Sequence, residues 1–230
     1  MYLLIGMVLF FLLTLPIIFR LEKRSVWPYG ELQAQPCFQD SSTYAARTVA
    51  DASRAGFSLL GWAPDRRGGI YRLMYALLVS ADRSTFAVIS VGTMGKLPFQ
   101  GTWLHTPAAD GRSFYSTDTQ SGVQMDLSGN WTSQLVPKAS FPVLWQRHQD
   151  WIREVGILPR PFASGQELKE FRTLREQHFR SMERAGLIRY TDVSAGQFQF
   201  TTSGAIKTAH WSYLVGLVRG MTGGRIPRTA

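Results

Sequence analysis

The stretch IYRLMYALLVSADRSTFAVISVG, residues 70–92, decides the fold: two β-rich runs, Ile70–Ser80 and Thr85–Gly92, are joined by a turn at Ala81–Ser84. A turn this short joins antiparallel neighbours, because a parallel pair needs a crossover of a dozen residues or more. In the first run Tyr71, Leu73, Tyr75, Leu77 and Val79 face one side and Met74, Ala76 and Leu78 the other. Both sets are apolar, which places this strand inside a sheet covered on both faces.

The same punctuation continues outward. Upstream lie a run at Phe57–Trp62 and a turn at Pro64–Gly69. Downstream come the glycine-bounded turn Gly92–Gly95, then runs at Phe99–Thr106, Ser113–Thr117, Val123–Leu127 and Trp131–Val136. The expectation is an antiparallel sheet over residues 42–137, opened by a helix from Ser42 to Gly56 whose stripe of Tyr44, Ala45, Val49, Ala52 and Ala55 is small enough to pack closely on it.

Beyond the sheet the period becomes helical. Pro142–Val155 carries Leu144, Trp145, His148, Trp151, Ile152 and Val155 on one stripe, with proline in its first turn. Ser164 and Glu167 form a capping box for a second helix, about Gly165 to Ala185. A hairpin from Leu187 to Thr202 and a last helix from Ser203 to about Gly220 complete a helix–helix–hairpin–helix part over 138–220, followed by a basic tail at 221–230. The fold class read from the whole is α+β.

At the other end stands MYLLIGMVLFFLLTLPIIF, residues 1–19, without an ionisable side chain. As a helix it is roughly 28 Å long, near the ~30 Å thickness of a bilayer core. No basic residue precedes it and no small-x-small cleavage site follows, so the expectation is a retained single-pass transmembrane signal-anchor. Arg20, Lys23 and Arg24 follow directly, and the positive-inside rule then puts the C-terminal domain on the cytoplasmic side of an inner membrane, with 20–41 as a juxtamembrane linker. Cys37 is the only cysteine, which excludes an internal disulfide.

The net charge of +9 is unevenly spread: residues 25–137 hold eight bases and eight acids, residues 138–230 fourteen bases and seven acids. Arg172, Arg175, Arg180, Arg184, Arg189, Arg219, Arg225 and Arg228 supply most of the excess and are the candidate contacts to an anionic partner, whether lipid, another membrane protein or nucleic acid. Within this part, MERAGLIRYTDVSAGQFQFTTSGA, residues 182–205, resembles the end of a winged-helix module: a helix closing in Ala-Gly-Leu-Ile, a short hairpin, then a further helix. That resemblance implies nucleic-acid binding or protein pairing.

Catalytic signatures are sparse. SVGTMGKL, residues 90–97, has Ser90 and Leu97 where a phosphate-binding loop requires glycine and a hydroxyl, so it reads as a strand-end turn. His105, His148, His178 and His210 show no metal-ligand spacing, and Asp110, Asp118 and Asp126 sit at turns, where aspartate bonds its own backbone. No catalytic, cofactor-binding or metal-ligating residue is named by these patterns. The expected function is binding or assembly rather than catalysis, with a membrane-tethered nucleic-acid-binding regulator and an enzyme built on the sheet as the alternatives.

Overall fold

In the computed structural model, residues 16, 17, 20, 21, 23–36, 42–67, 71–119 and 131–208 are described. They form two compact units, the described residues from Pro28 to Thr173 making one and those up to Trp27 and from Leu174 onward the other.

The larger unit is built on a six-stranded sheet of β2 (Phe57–Pro64), β3 (Tyr71–Ser80), β4 (Phe86–Met94), β5 (Leu97–Pro107), β6 (Ser113–Thr117) and β7 (Trp131–Leu135), which neighbour one another in chain order. From β2 to β6 every pair is antiparallel, as the short turns dictate. The step from β6 to β7 is parallel, with Ser116 opposite Gln134, and corrects the expectation of a wholly antiparallel sheet. The physical reason is the connection: thirteen residues separate Thr117 from Trp131, long enough for a crossover. The run expected at Val123–Leu127 lies outside the described residues.

Side-chain parity sets what covers the sheet. Met74, Ala76, Leu78, Ala87, Ile89, Val91 and Leu104 share one face with helices α1 (Ser42–Arg54) and α2 (Phe141–Glu154), which meet them through Ala45, Ala52, Phe141 and Leu144. On the opposite face Phe86 stacks on Phe171 at 4.1 Å between ring centroids, and His105 packs against Trp131 at 4.9 Å. β3 is buried throughout from Leu73 to Ser80, as its double apolar pattern requires. The stretch read as a linker contributes to this unit: Gln33 exchanges two backbone hydrogen bonds with Trp62, and Tyr29 packs edge-on against Tyr75 at 4.8 Å.

The second unit holds a three-stranded antiparallel sheet in the order β1 (Arg24–Ser25), β9 (Gln197–Phe200), β8 (Ile188–Asp192). The hairpin of the winged-helix resemblance is therefore present as β8–β9, and Arg24 pairs with Phe198 to add a third strand. Helix α3 (Glu167–Arg184) contains the boundary between the units, and in this unit it contributes buried Phe179 and Met182 alongside Leu187, Ile188, Phe198 and Phe200. Residues 202–208 are helical.

The expected transmembrane anchor, and with it the single-pass inner-membrane location and the cytoplasmic placing of the domain, are corrected: among the described residues no helix is long and apolar enough to cross a membrane. The physical reason is composition. The helices α1 to α3 carry ionised side chains along one face, and α3 alone holds Glu167, Lys169, Glu170, Arg172, Arg175, Glu176, Arg180, Glu183 and Arg184. Arg24, read as an orientation signal beside the span, is a strand residue. Of the expected span itself, residues 1–15, 18 and 19 lie outside the described residues.

Candidate functional site

Ser140 precedes α2 and Pro142 sits in its first turn, so the helix starts at a fixed phase. That phase turns Leu144, His148, Trp151 and Ile152 onto the sheet. His148 is the one titratable group among them, and it is 1% exposed.

The sheet meets His148 with hydroxyls. Leu104 and Thr106 occupy the helix-facing parity of β5, and Phe114 and Ser116 that of β6. The imidazole bridges the two strands: Nε2 lies 2.8 Å from Thr106 Oγ1, and Nδ1 lies 2.6 Å from Ser116 Oγ. Thr106 Oγ1 is hydrogen-bonded in turn to Thr85 Oγ1 at 2.7 Å. At the far end Gln134, opposite Ser116 in the parallel pair, donates from Nε2 to Ser116 Oγ at 2.7 Å and to the Arg147 carbonyl at 3.3 Å. A row of polar groups thus crosses from β7 to the β3–β4 turn inside an apolar layer.

The hydrogens in this row can be counted. The Arg147 carbonyl only accepts, so the Gln134 atom between it and Ser116 is the amide nitrogen. Ser116, fully buried, accepts from that amide and places its own proton on His148 Nδ1, which makes Nε2 the protonated ring nitrogen. His148 then donates to Thr106, and a single hydrogen bond joins the Thr106 and Thr85 hydroxyls, which leaves one proton of that pair over. The opposite polarity would strand the Ser116 proton in the interior at a cost of about 1–3 kcal/mol. Burial pushes the imidazole pKa down to about 3, so the ring stays neutral.

The row ends at a cleft of about 220 Å³ whose lining includes Asp82, Ser84, Thr85, Thr106, His148 and Arg153. Asp82 shapes the turn beside it. Oδ1 accepts from Ser80 Oγ at 2.6 Å and from the Ser84 amide at 3.0 Å, and Oδ2 accepts from Ser84 Oγ at 2.8 Å. Partial burial acts to raise its pKa, but the hydrogen bonds from Ser80 and Ser84 outweigh that and hold the carboxyl below its ordinary range. Arg153 is in an ion pair with Asp150 on the exposed side of α2.

A second polar cluster on the same face ties α1 to the sheet. Asp118 accepts from the Thr102 amide at 2.8 Å and from the Tyr44 hydroxyl at 3.3 Å. Burial raises the pKa of both Asp118 and Tyr44.

The arginines singled out as anionic-partner contacts are dispersed. Arg172, Arg184 and Arg189 are exposed. Arg175 is buried, donating from Nε to the Val26 carbonyl at 2.9 Å, and Arg180 pairs with Glu183 at 2.9 Å while lying 4.3 Å over the Tyr190 ring. Arg20 and Lys23 are exposed, and Arg24 lies 5.2 Å over Phe200. Arg219, Arg225 and Arg228 lie outside the described residues. Among the described residues no three His, Cys, Asp or Glu side chains are grouped to hold a metal ion.

Sequence reasoning took His148 as a residue of an apolar stripe and passed over Thr85, Thr106, Ser116 and Gln134. The available signal was parity: Thr102 and Thr106 flank Leu104 on a face that is otherwise apolar, and buried hydroxyls on such a face imply partners. Compared with protein-family models, with curated proteins and with solved structures, the chain has no match.

Proposed function

We propose that the six-stranded unit is a binding domain whose site is the cleft between α2 and the β3–β4 turn, and that it holds its ligand without transforming it. The observation that supports this reading is that both ring nitrogens of His148 are engaged by buried hydroxyls, from which the proton count assigns the polarity of the row. A general base must accept the proton of the hydroxyl it activates. His148 donates to Thr106 instead, its second nitrogen is taken by Ser116, and its low pKa leaves it a weak base. The carboxylate nearest the cleft, Asp82, is bound to Ser80 and Ser84 and does not orient the imidazole. A buried, hydrogen-bonded polar row of this kind supplies a fixed floor, which is what recognition of a small molecule needs.

The test is a binding screen of the whole chain against a library of small uncharged, anionic and cationic compounds, followed by NMR through the indole N–H of Trp145. Ligands that shift Trp145 and are displaced when Ile152→Trp fills the cleft are the expected result. A library in which no compound perturbs Trp145 would sink the reading.

A further inference from the structure

Two groups at the cleft retain unused hydrogen-bonding capacity, and they are of opposite kinds. The first is Thr85. Its Oγ1 shares a single hydrogen bond with Thr106 Oγ1, which already accepts from His148, so one hydroxyl proton of this pair has no protein acceptor among the described residues. Both side chains line the cleft, so this proton faces its occupant. The second is Asp82. A carboxylate has about four acceptor positions, and Ser80 and Ser84 fill three of them. Oδ2 accepts one bond and retains a lone pair.

A hydroxyl donor and a charged acceptor lining one cleft discriminate between ligand classes. A carboxylate or phosphate accepts from Thr85 but meets the negative charge of Asp82, and Arg153 is already paired with Asp150. An ammonium group satisfies Asp82 but offers Thr85 no acceptor, leaving a buried hydroxyl unmet. A ligand hydroxyl does both, accepting from Thr85 and donating to Asp82, and a second hydroxyl on the adjacent carbon extends the match. Trp145, Ile152 and Pro159 give the remaining wall an apolar surface suited to the C–H faces of such a molecule, and Gln149 and Arg153 complete it. Volume sets the upper size. About 220 Å³ is the share of roughly seven waters at ~30 Å³ each and falls below the ~300–1,000 Å³ of drug-sized sites.

We propose that this cleft binds a small uncharged polyhydroxyl compound, no larger than a monosaccharide, through a hydroxyl that accepts from Thr85 and donates to Asp82. The proposal rests on the reading of the unit as a binding domain and adds to it the chemistry of the ligand.

The experiment titrates the whole chain with glycerol, inositol, ribose, glucose and galactose, and with acetate, inorganic phosphate and ethylammonium as charged counterparts, by calorimetry and by the Trp145 resonance. At least one polyol is expected to bind and the charged compounds are not. Thr85→Val removes one hydroxyl of the pair at nearly constant volume and is expected to weaken that polyol about tenfold or more, and Thr85→Val combined with Thr106→Val to abolish its binding, whereas Thr85→Ser keeps the hydroxyl and retains binding. Asp82→Asn removes the charge while preserving an acceptor, and is expected to admit acetate. Thermal melts of each variant establish that it is folded. Polyol affinity unchanged in folded Thr85→Val overturns the proposal. So does a cleft that takes charged compounds of the library and no polyol, although that outcome leaves the binding-domain reading standing. A cleft that takes nothing overturns both.

Discussion

His148 belongs to a class of residue whose importance depends on partners far away in the chain. It sits in a helix stripe between Leu144 and Trp151, and its hydroxyl partners are 32 and 42 residues distant. Helical periodicity shows that the ring is turned inward but says nothing of what it meets, because sheet register, not helix phase, brings Ser116 and Thr106 under it. The hydrogen count predicts that the ring carries its proton on Nε2. Nitrogen-15 NMR of the imidazole should show a protonated Nε2 and a bare Nδ1 at neutral pH, and a protonated Nδ1 would refute the direction of the row. Thr106→Val should cost about 1–3 kcal/mol in denaturant unfolding, since it leaves the buried Nε2–H without its acceptor. Val143→Ala, at an exposed position of α2, should stay within about 0.5 kcal/mol.

At the scale of elements, what was legible in the sequence was whatever a short turn determines. The meander from β2 to β6 follows from Ala81–Ser84, from the Gly95-Lys96 turn and from the short β5–β6 connection, each too brief to allow any other pairing. The parallel β6–β7 pair was hidden because a thirteen-residue connection fixes neither direction nor partner, and β1 was hidden because a two-residue strand has no period to read. One detail inside β4 is open to test. Gly92, at φ 143°, faces Leu73 across the β3–β4 pair, and a Cβ there would stand 2.0 Å from the Arg72 carbonyl oxygen, so the strands approach more closely than any other residue allows. Gly92→Ala should therefore cost more than about 2 kcal/mol and move the amide resonances of Arg72 and Leu73. At Gly111, φ 87° with open space around it, alanine should cost only the backbone strain, about 1 kcal/mol. Equal losses at the two positions would show that close packing of β3 on β4 is not what requires the glycine.

At the scale of the molecule, buried imidazoles link stability to pH in both units. His148 in the larger unit and His178 in the smaller are each pushed by burial to a pKa of about 3, with the Arg175 charge adding to the effect at His178. The sign follows from proton uptake. Between the ordinary histidine value of 6.5 and about 3 the unfolded chain binds a proton that the folded chain refuses, so stability is full above pH 6.5 and falls as the solution is acidified through that window. Each histidine contributes a slope of about 1.4 kcal/mol per pH unit. Asp82, held below its ordinary range, adds to the loss at the acid end. Asp118 opposes it, since its raised pKa makes the folded state take up a proton first. The expected result is a urea midpoint that declines from pH 6.5 to pH 4. In His148→Gln the decline reported by the fluorescence of Trp145 and Trp151 should flatten by about one histidine's slope. Substituting His178→Gln should leave that signal's pH dependence as it is and flatten the decline read from amide exchange in β8 and β9. If His148→Gln leaves the acid limb of the larger unit unchanged, the ring is not kept neutral by burial, and the direction assigned to the whole hydroxyl row loses its support.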